Sequence, residues 1–303
     1  MVLLENPFRV PGEWYRANLH AHTTVSDGDV SPEECADFYH RAGYQVLAVS
    51  DHRHVTEVAG DRAGFLLLRG IELDGGRSRQ GTTYHIVGLD VGSPGPMEVP
   101  PGASGQDLVN MIREDGGLAF VAHPYWSGLM AQDIAGIEGC FAVEVYNTGC
   151  DLEVLRGFSM VQWDDLLTLG YDYGGLAVDD GHSSRFDHGR GWTMIRAEEL
   201  SAEAVRDALL RGRFYATTGP EILDITVADG EIAVRTSPAK SIAMVSVPGI
   251  GARRLAAGEN TITSAEFPLP KARYCRIEVM DERGKRAWSN PFLLDAARGG
   301  SPG

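Results

Sequence analysis

The chain has 303 residues, 27 Lys and Arg against 42 Asp and Glu, and a formal net charge of −15. With 43% hydrophobic residues it has the composition of a packed fold of one large or two smaller domains. No apolar run approaches the ~20 residues of a membrane span, and the N-terminus MVLLENPFRV has no basic flank, apolar core or cleavage site of a signal peptide. A cytoplasmic protein without membrane association is expected.

The charge is unevenly spread. Residues 1–218 carry 32 acids and 16 bases, a net of −16, whereas residues 219–303 carry 10 acids and 11 bases, a net of +1. All nine His fall between His20 and His188, and the three Lys (Lys240, Lys271, Lys285) lie in the second part. The first part therefore has no P-loop or Schiff-base lysine, and its negative charge disfavours long nucleic acid, whose non-specific affinity comes from phosphate neutralisation. The four Cys form no CxxC pair, which predicts free thiols rather than a disulfide framework or a zinc-thiolate site.

In chain order, residues 31–43 predict a helix: Ser31 as N-cap, Pro32 at the first position, Glu34 completing a capping box and Gly43 as the stop. QVLAVS (45–50) reads as a buried strand ending at Asp51-His52. FLLLRGI (65–71) runs into Glu72, which is expected at the strand's end. TTYHIVGL (82–89) alternates and carries His85. A helix near 104–115 precedes LAFVA (118–122), which ends at His123. FAVEVYN (141–147), a helix near 160–169 and GLAVDD (175–180) follow, leading to His182. Short buried strands alternating with helices predict a mostly parallel α/β architecture with its polar residues gathered at one end of the sheet. After a helix at 201–211 the texture changes to short alternating stretches separated by Gly, Pro and Asn, which predicts a small antiparallel β-domain. The expected boundaries are 1–218 and 219–303.

Three segments concentrate ligand-type residues. In Asn18-Leu-His20-Ala-His22-Thr-Thr-Val-Ser-Asp27-Gly28 the two imidazoles alternate about one residue and, on a strand, face the same side. Ser50-Asp51-His52-Arg53-His54 and Asp179-Asp180-Gly181-His182 each follow a buried strand. Any one of these residues has an ordinary reading as a core imidazole, a capping Asp or a turn. Six His together with Asp27, Glu72 and Asp180 at one end of a sheet do not. Imidazoles and carboxylates without thiolates suit Zn, Mn or Fe, and two or three such ions would acidify a bound water and clamp attacking and leaving oxygens. Asp164-Asp165, in a predicted helix, read as a solvated face, and His40 and His188 as surface residues. No GxSxG, GxGxxG or HExxH motif is present.

The ordered set NLHAHTTVSDG, VSDHRHV, GIELDG, YHIVGL, VAHPYW, VEVYN and VDDGH resembles the PHP (polymerase and histidinol phosphatase) superfamily over residues 16–218. The later stretches WDDLLTLG, GWTMIRAEELS, RGRFYATTGPEI and AWSNPF look like its carbaryl-hydrolase-like (CehA/McbA) branch. The resemblance implies a distorted seven-stranded (β/α) barrel, followed here by a small antiparallel β-sandwich domain, with a trinuclear metal centre. It assigns His20, His22, Glu72 and Asp180 to one ion, Glu72, His85 and His123 to a second, and Asp27, His52 and His182 to a third. The segment DHRHV departs from relatives, which often carry Asn or a small residue after the DH pair. Arg53 and His54 are therefore candidate substrate contacts, with Arg185, Arg16 and Arg190 as loop arginines suited to phosphate.

The activity expected is hydrolysis of a small phosphomonoester or phosphodiester. The attacking hydroxide would bridge ions held by Glu72, Asp180 and His123. A carbamate, amide or ester hydrolase with the same centre is the alternative, supported by Tyr125, Trp126 and Tyr146 as candidate pocket aromatics. A metal-stabilised binding protein is a third reading. The expected partner is a small molecule; a homo-oligomer is compatible with the sequence.

Overall fold

The computed structural model describes residues 4–92, 94–183 and 187–294. Its largest sheet has 14 strands among the described residues. At the centre, Glu13–Asn18, Val46–Val49 and Leu66–Gly75 run parallel to one another. Tyr84–Leu89 is antiparallel to both its neighbours, Leu66–Gly75 and Leu118–Val121. Leu118–Val121, Cys140–Asn147 and Gly174–Val178 are again parallel. A parallel bridge between Ala21 and Gly181 brings the two ends of this run together, and the His22 N–H donates to the Gly181 carbonyl at 2.9 Å. The run thereby curls back on itself.

The central strands are buried on both faces, as parallel sheets require. Val46 and Ala48 pack with Leu176 and Val178, whereas the alternate residues Leu47 and Val49 pack with Cys35 and Tyr39 of the helix Pro32–Arg41. That helix starts as its sequence predicts: the Glu34 N–H donates to Ser31 Oγ, and the Ser31 N–H donates to the Glu34 carboxylate. Ser104 and Asp107 form the same reciprocal box on Gly105–Glu114. Among the described residues no helix is long and apolar enough to cross a membrane.

Beyond the central run, Trp192–Ala197 and Phe214–Thr217 add antiparallel strands to Glu13–Asn18, and the sheet continues through Arg286–Ser289, Tyr274–Met280, Ser241–Val245 and Gly251–Leu255. Ile222–Ala228, Glu231–Ala239 and Ile262–Pro268 form a separate antiparallel sheet. Its Ile225, Ile232, Val234 and Phe267 bury against Ile242, Ile277 and Val279 of the large one.

Two sequence expectations need correction. Glu72 is not at a strand end: Leu66–Gly75 runs on past it, because the antiparallel pairing Glu72↔Val87 extends the ladder to Gly75. Asp164, partly exposed, is tied inward rather than left to solvent alone. Its carboxylate accepts two hydrogen bonds, both 2.8 Å, from the fully buried Arg276 guanidinium of Tyr274–Met280.

Candidate metal centre

Glu72 sits at the middle of the converging side chains. Its carboxylate is buried, and its two oxygens divide the imidazoles around it. Oε1 lies 2.8 Å from His85 Nδ1 and 3.3 Å from His123 Nε2. Oε2 lies 3.2 Å from His20 Nε2, 3.2 Å from His22 Nε2 and 3.3 Å from His52 Nδ1. Asp180 approaches from the opposite strand end: Oδ1 is 3.2 Å from His20 Nε2 and 3.1 Å from His22 Nε2. Asp27 completes the outer edge, 3.5 Å from His182 Nε2 and 3.6 Å from His52 Nε2.

Hydrogen bonds on the far side of three of these rings set how they face the cluster. His20 Nδ1–H donates to the Glu144 carboxylate at 2.7 Å and His182 Nδ1–H to the Asp180 main-chain carbonyl at 2.9 Å, while His123 Nδ1 shares a hydrogen bond with Ser127 Oγ at 2.9 Å. Each bond turns Nε2 towards the cluster, so that the neutral ring of His20 or His182 presents there the lone pair a metal ligand needs. Asp180 Oδ1 is buried and has no hydrogen-bond donor in spite of its two close imidazoles. An anionic oxygen left this way is costly unless a cation covers it. His123 and Asp180 also hold left-handed backbone, at φ 26° and φ 52°, a conformation non-glycine residues adopt at a cost and one that gathers at functional sites.

Three groups in this cluster have donor atoms close enough to share an ion: His20, His22, Glu72 and Asp180; His22, Asp27, His52 and His182; and His52, Glu72 and His85. Within each, the atoms lie within 4.8 Å of one another. The chemistry is all nitrogen and oxygen, which fits divalent Zn, Mn or Fe. The electrostatics mark an anionic site that attracts positive charge. Burial opposes charge on His20, but Asp180, Glu144 and Glu72 outweigh it and hold the ring well above its ordinary pKa. His182, burial notwithstanding, is pushed up to about 9 by Asp27 and Asp180. Burial disfavours ionised Glu72 and Asp180, yet the surrounding imidazoles hold both well below the usual carboxylate range. Eight of the nine residues that the sequence singled out for metal fall within these groups; His123 is in none of them, although its Nε2 lies 3.3 Å from Glu72 Oε1, and His52 takes its place beside Glu72 and His85.

The cluster floors a cavity of about 530 Å³ whose lining also includes Trp126, Cys150, Leu152, Glu153 and Asp187. The Trp126 ring stands edge-on to His123 and His85, with centroids 4.9 and 5.7 Å away, and its N–H donates to Glu153.

The chain's similarities to known proteins bear on this geometry. A protein of Bacteroides vulgatus, described as a two-domain protein containing a predicted PHP-like metal-dependent phosphoesterase, superposes over 97% of this chain and 99% of its own, with 15% identity and a TM-score of 0.52. The two share a fold. An amidohydrolase of Chromobacterium violaceum is similar over 65% of this chain and 96% of its own at 17% identity, with a TM-score of 0.46. In sequence, the chain is 36% identical over 78 residues to a 5'-3' exoribonuclease of Haemophilus influenzae and spans 28% of that enzyme's length. It is 27% identical over 126 residues to an uncharacterized protein of Methanocaldococcus jannaschii, spanning 68% of it. No protein-family profile matches.

The candidate substrate contacts fare differently. Arg53 turns away from the cavity into a two-pronged ion pair with Asp74, at 2.8 and 2.7 Å. His54 lies on the short strand His54–Val55 opposite Pro96. Neither is among the cavity's lining residues, and Arg185 lies outside the described residues. Arg16 is sandwiched between the Tyr44 and Trp192 rings, a structural role. His188 is not a surface residue: it is buried against Phe38 and Tyr39.

Sequence reasoning missed the buried residues that hold the ligands. Glu144 accepts from His20, from the His123 N–H and from Asn147, whose amide also donates to Asp180 Oδ2 at 3.0 Å. Asp179 accepts from the Gly189, Arg190 and Gly191 N–H groups and from the Tyr39 hydroxyl, tying down residues 189–191. The only signal was a charged or amide residue inside an apolar strand, as in VEVYN.

Proposed function

We propose that the chain is a PHP-superfamily metal-dependent hydrolase, of the carbaryl-hydrolase-like branch its motifs resemble, that cleaves a small phosphomonoester or phosphodiester in the cytoplasm. The observation that carries the reading is the single Glu72 carboxylate shared between imidazoles on both its oxygens. In this reading residues 1–218 form the metallohydrolase barrel and 219–303 a β-domain behind it. His20, His22, Glu72 and Asp180 hold one ion, Glu72, His85 and His123 a second, and Asp27, His52 and His182 a third. Bound divalent ions would supply an acidified water and positive charge for the phosphoryl oxygens.

The chain's own residues keep that site in order. Glu144 and the Asp180 carbonyl orient the His20 and His182 rings, Ser127 holds the far side of His123, and Trp126 lines one wall of the cavity. A small substrate fits the charge: with −16 over residues 1–218, a long polyanion is repelled, so a nucleotide-sized ester is the most the exoribonuclease likeness supports.

A carbamate, amide or ester substrate is the second reading, and the cavity supplies its support. Among the described lining residues there is no Arg or Lys, and Trp126 and Leu152 offer an apolar wall.

The test is metal analysis of purified protein coupled to a panel of phosphomonoesters, phosphodiesters, carbamates and esters. The expected result is turnover of one class, lost on chelation and restored by Mn or Zn. His123→Ala and Asp180→Ala should abolish it. Turnover surviving both variants would reject the site assignment, and turnover of carbonyl substrates alone would select the second reading.

A further inference from the structure

Asp51 is fully buried, and its carboxylate is surrounded by donors from two other segments. The Thr23 N–H donates to Oδ1 at 2.7 Å and the Thr23 hydroxyl to Oδ2 at 2.8 Å. The Ser26 hydroxyl donates to Oδ1 at 2.7 Å, and the Thr56 hydroxyl to Oδ2. The main chain adds a further link: the Asp51 carbonyl accepts the Glu72 N–H at 3.2 Å. One residue therefore joins the turn carrying His22 and Asp27, the segment carrying His52, and the strand carrying Glu72.

Ser26 is the relay. Its oxygen lies 3.4 Å from His22 Nδ1 and 3.1 Å from Asp27 Oδ1. Its single proton goes to Asp51, the nearer carboxylate, which leaves its lone pairs for the His22 N–H. Asp27 itself is 54% exposed in its side chain, so burial does not hold it, and the turn from Thr23 to Gly28 must. That turn closes on the Thr23 carbonyl, through the Ser26 and Gly28 N–H groups, and Thr23 is the residue Asp51 grips twice. The inner ligands are supported from elsewhere, His20 and His123 by Glu144 and Asp180 by Asn147.

Resting on the metal reading above, we infer that Asp51 is a positioning residue whose carboxylate sets the turn bearing Asp27 and the segment bearing His52 on the outer side of the cluster, whereas His20, His123 and Asp180 are held by Glu144 and Asn147. A carboxylate suits this task because every group facing it is a donor. An amide would turn its NH₂ towards donors and break at least one link.

The test is Mn²⁺ binding to the full chain, with free Mn²⁺ followed by electron paramagnetic resonance to give both the number of ions and their affinities. In Asp51→Asn the weakest class of ion should bind roughly 10–100-fold less tightly, the scale for losing a residue that orients a ligand, while the remaining ions bind as in the parent. Ser26→Ala, a milder change that carries the test should Asp51→Asn not fold, should weaken the same class less. Glu144→Gln should weaken a different one. Loss of all ions together, or variants that bind like the parent, would overturn the positioning role. A parent chain that takes up no Mn²⁺ or Zn²⁺ would overturn the metal reading, and this inference with it.

Discussion

Glu72→Gln should lower turnover on the best substrate by roughly 10²–10³-fold, the scale seen when one group stabilising transition-state charge is removed. Gln has the size of Glu, and position 72 is fixed on both sides by the ladder to Val87 and by the His52 bridge, so the fold should persist. The charge does not, and one oxygen becomes an NH₂. Because Oε1 faces His85 and His123 while Oε2 faces His20, His22 and His52, either orientation of the amide points a donor at imidazole lone pairs. Metal content should fall with activity. Circular dichroism like that of the parent, with turnover within tenfold of it, would show that the shared carboxylate is not central to the reaction.

Asp164→Ala should destabilise the chain by about 3–5 kcal/mol, the range for breaking a buried ion pair from one side, and lower Tm by on the order of ten degrees at the few degrees per kcal/mol expected for large domains. The asymmetry of the pair makes the choice of partner matter. Arg276 is almost fully enclosed and lies over the Trp163 ring at 4.9 Å, whereas the Asp164 side chain is 31% exposed. Removing Asp164 leaves a guanidinium in the interior with only Glu278, at 3.3 Å, to answer it. Arg276→Met removes the cation, keeps an apolar stem on Trp163, and leaves an Asp164 that water can reach. It should cost only about a third as much, since the unpaired group is no longer buried. Equal losses in the two variants, measured by thermal unfolding, would contradict this account.

The candidate metal ligands were legible because their spacing is local. His20 and His22 alternate about Ala21, and Asp51-His52, His123 and Asp180 each follow an apolar run whose end is visible in the sequence. What holds them was not. Glu144 reads as one charge in the strand FAVEVYN, and its partners His20 and His123 lie 124 and 21 residues away. Arg276 and Asp164 are separated by 112 residues, so nothing local distinguishes Asp164 from its neighbour Asp165. His188 was misread for a similar reason: a histidine among Gly and Arg has the composition of a surface loop, and only the packing of Phe38 and Tyr39 encloses it. The alternation of helix and strand foretold the central parallel runs, but where Leu66–Gly75 stops depends on an antiparallel partner, not on its own residues.

The unbroken pairing from the central strands into Arg286–Ser289 and Tyr274–Met280 has a calorimetric consequence. Phe214–Thr217 is shared ladder: it pairs with Trp192–Ala197 on one side and Arg286–Ser289 on the other. Asn290 reaches back to accept the Gly175 N–H at 2.9 Å and to donate to the Gly212 and Phe214 carbonyls. Melting either side would bare a sheet edge and orphan buried amides on the other, so the chain should melt as one cooperative unit. A scan should give a single endotherm with calorimetric and van't Hoff enthalpies in agreement, and the segment 1–218 expressed alone should aggregate through its uncovered edge. Two resolved endotherms would mean that the hydrogen bonds crossing this seam are too weak to couple its sides.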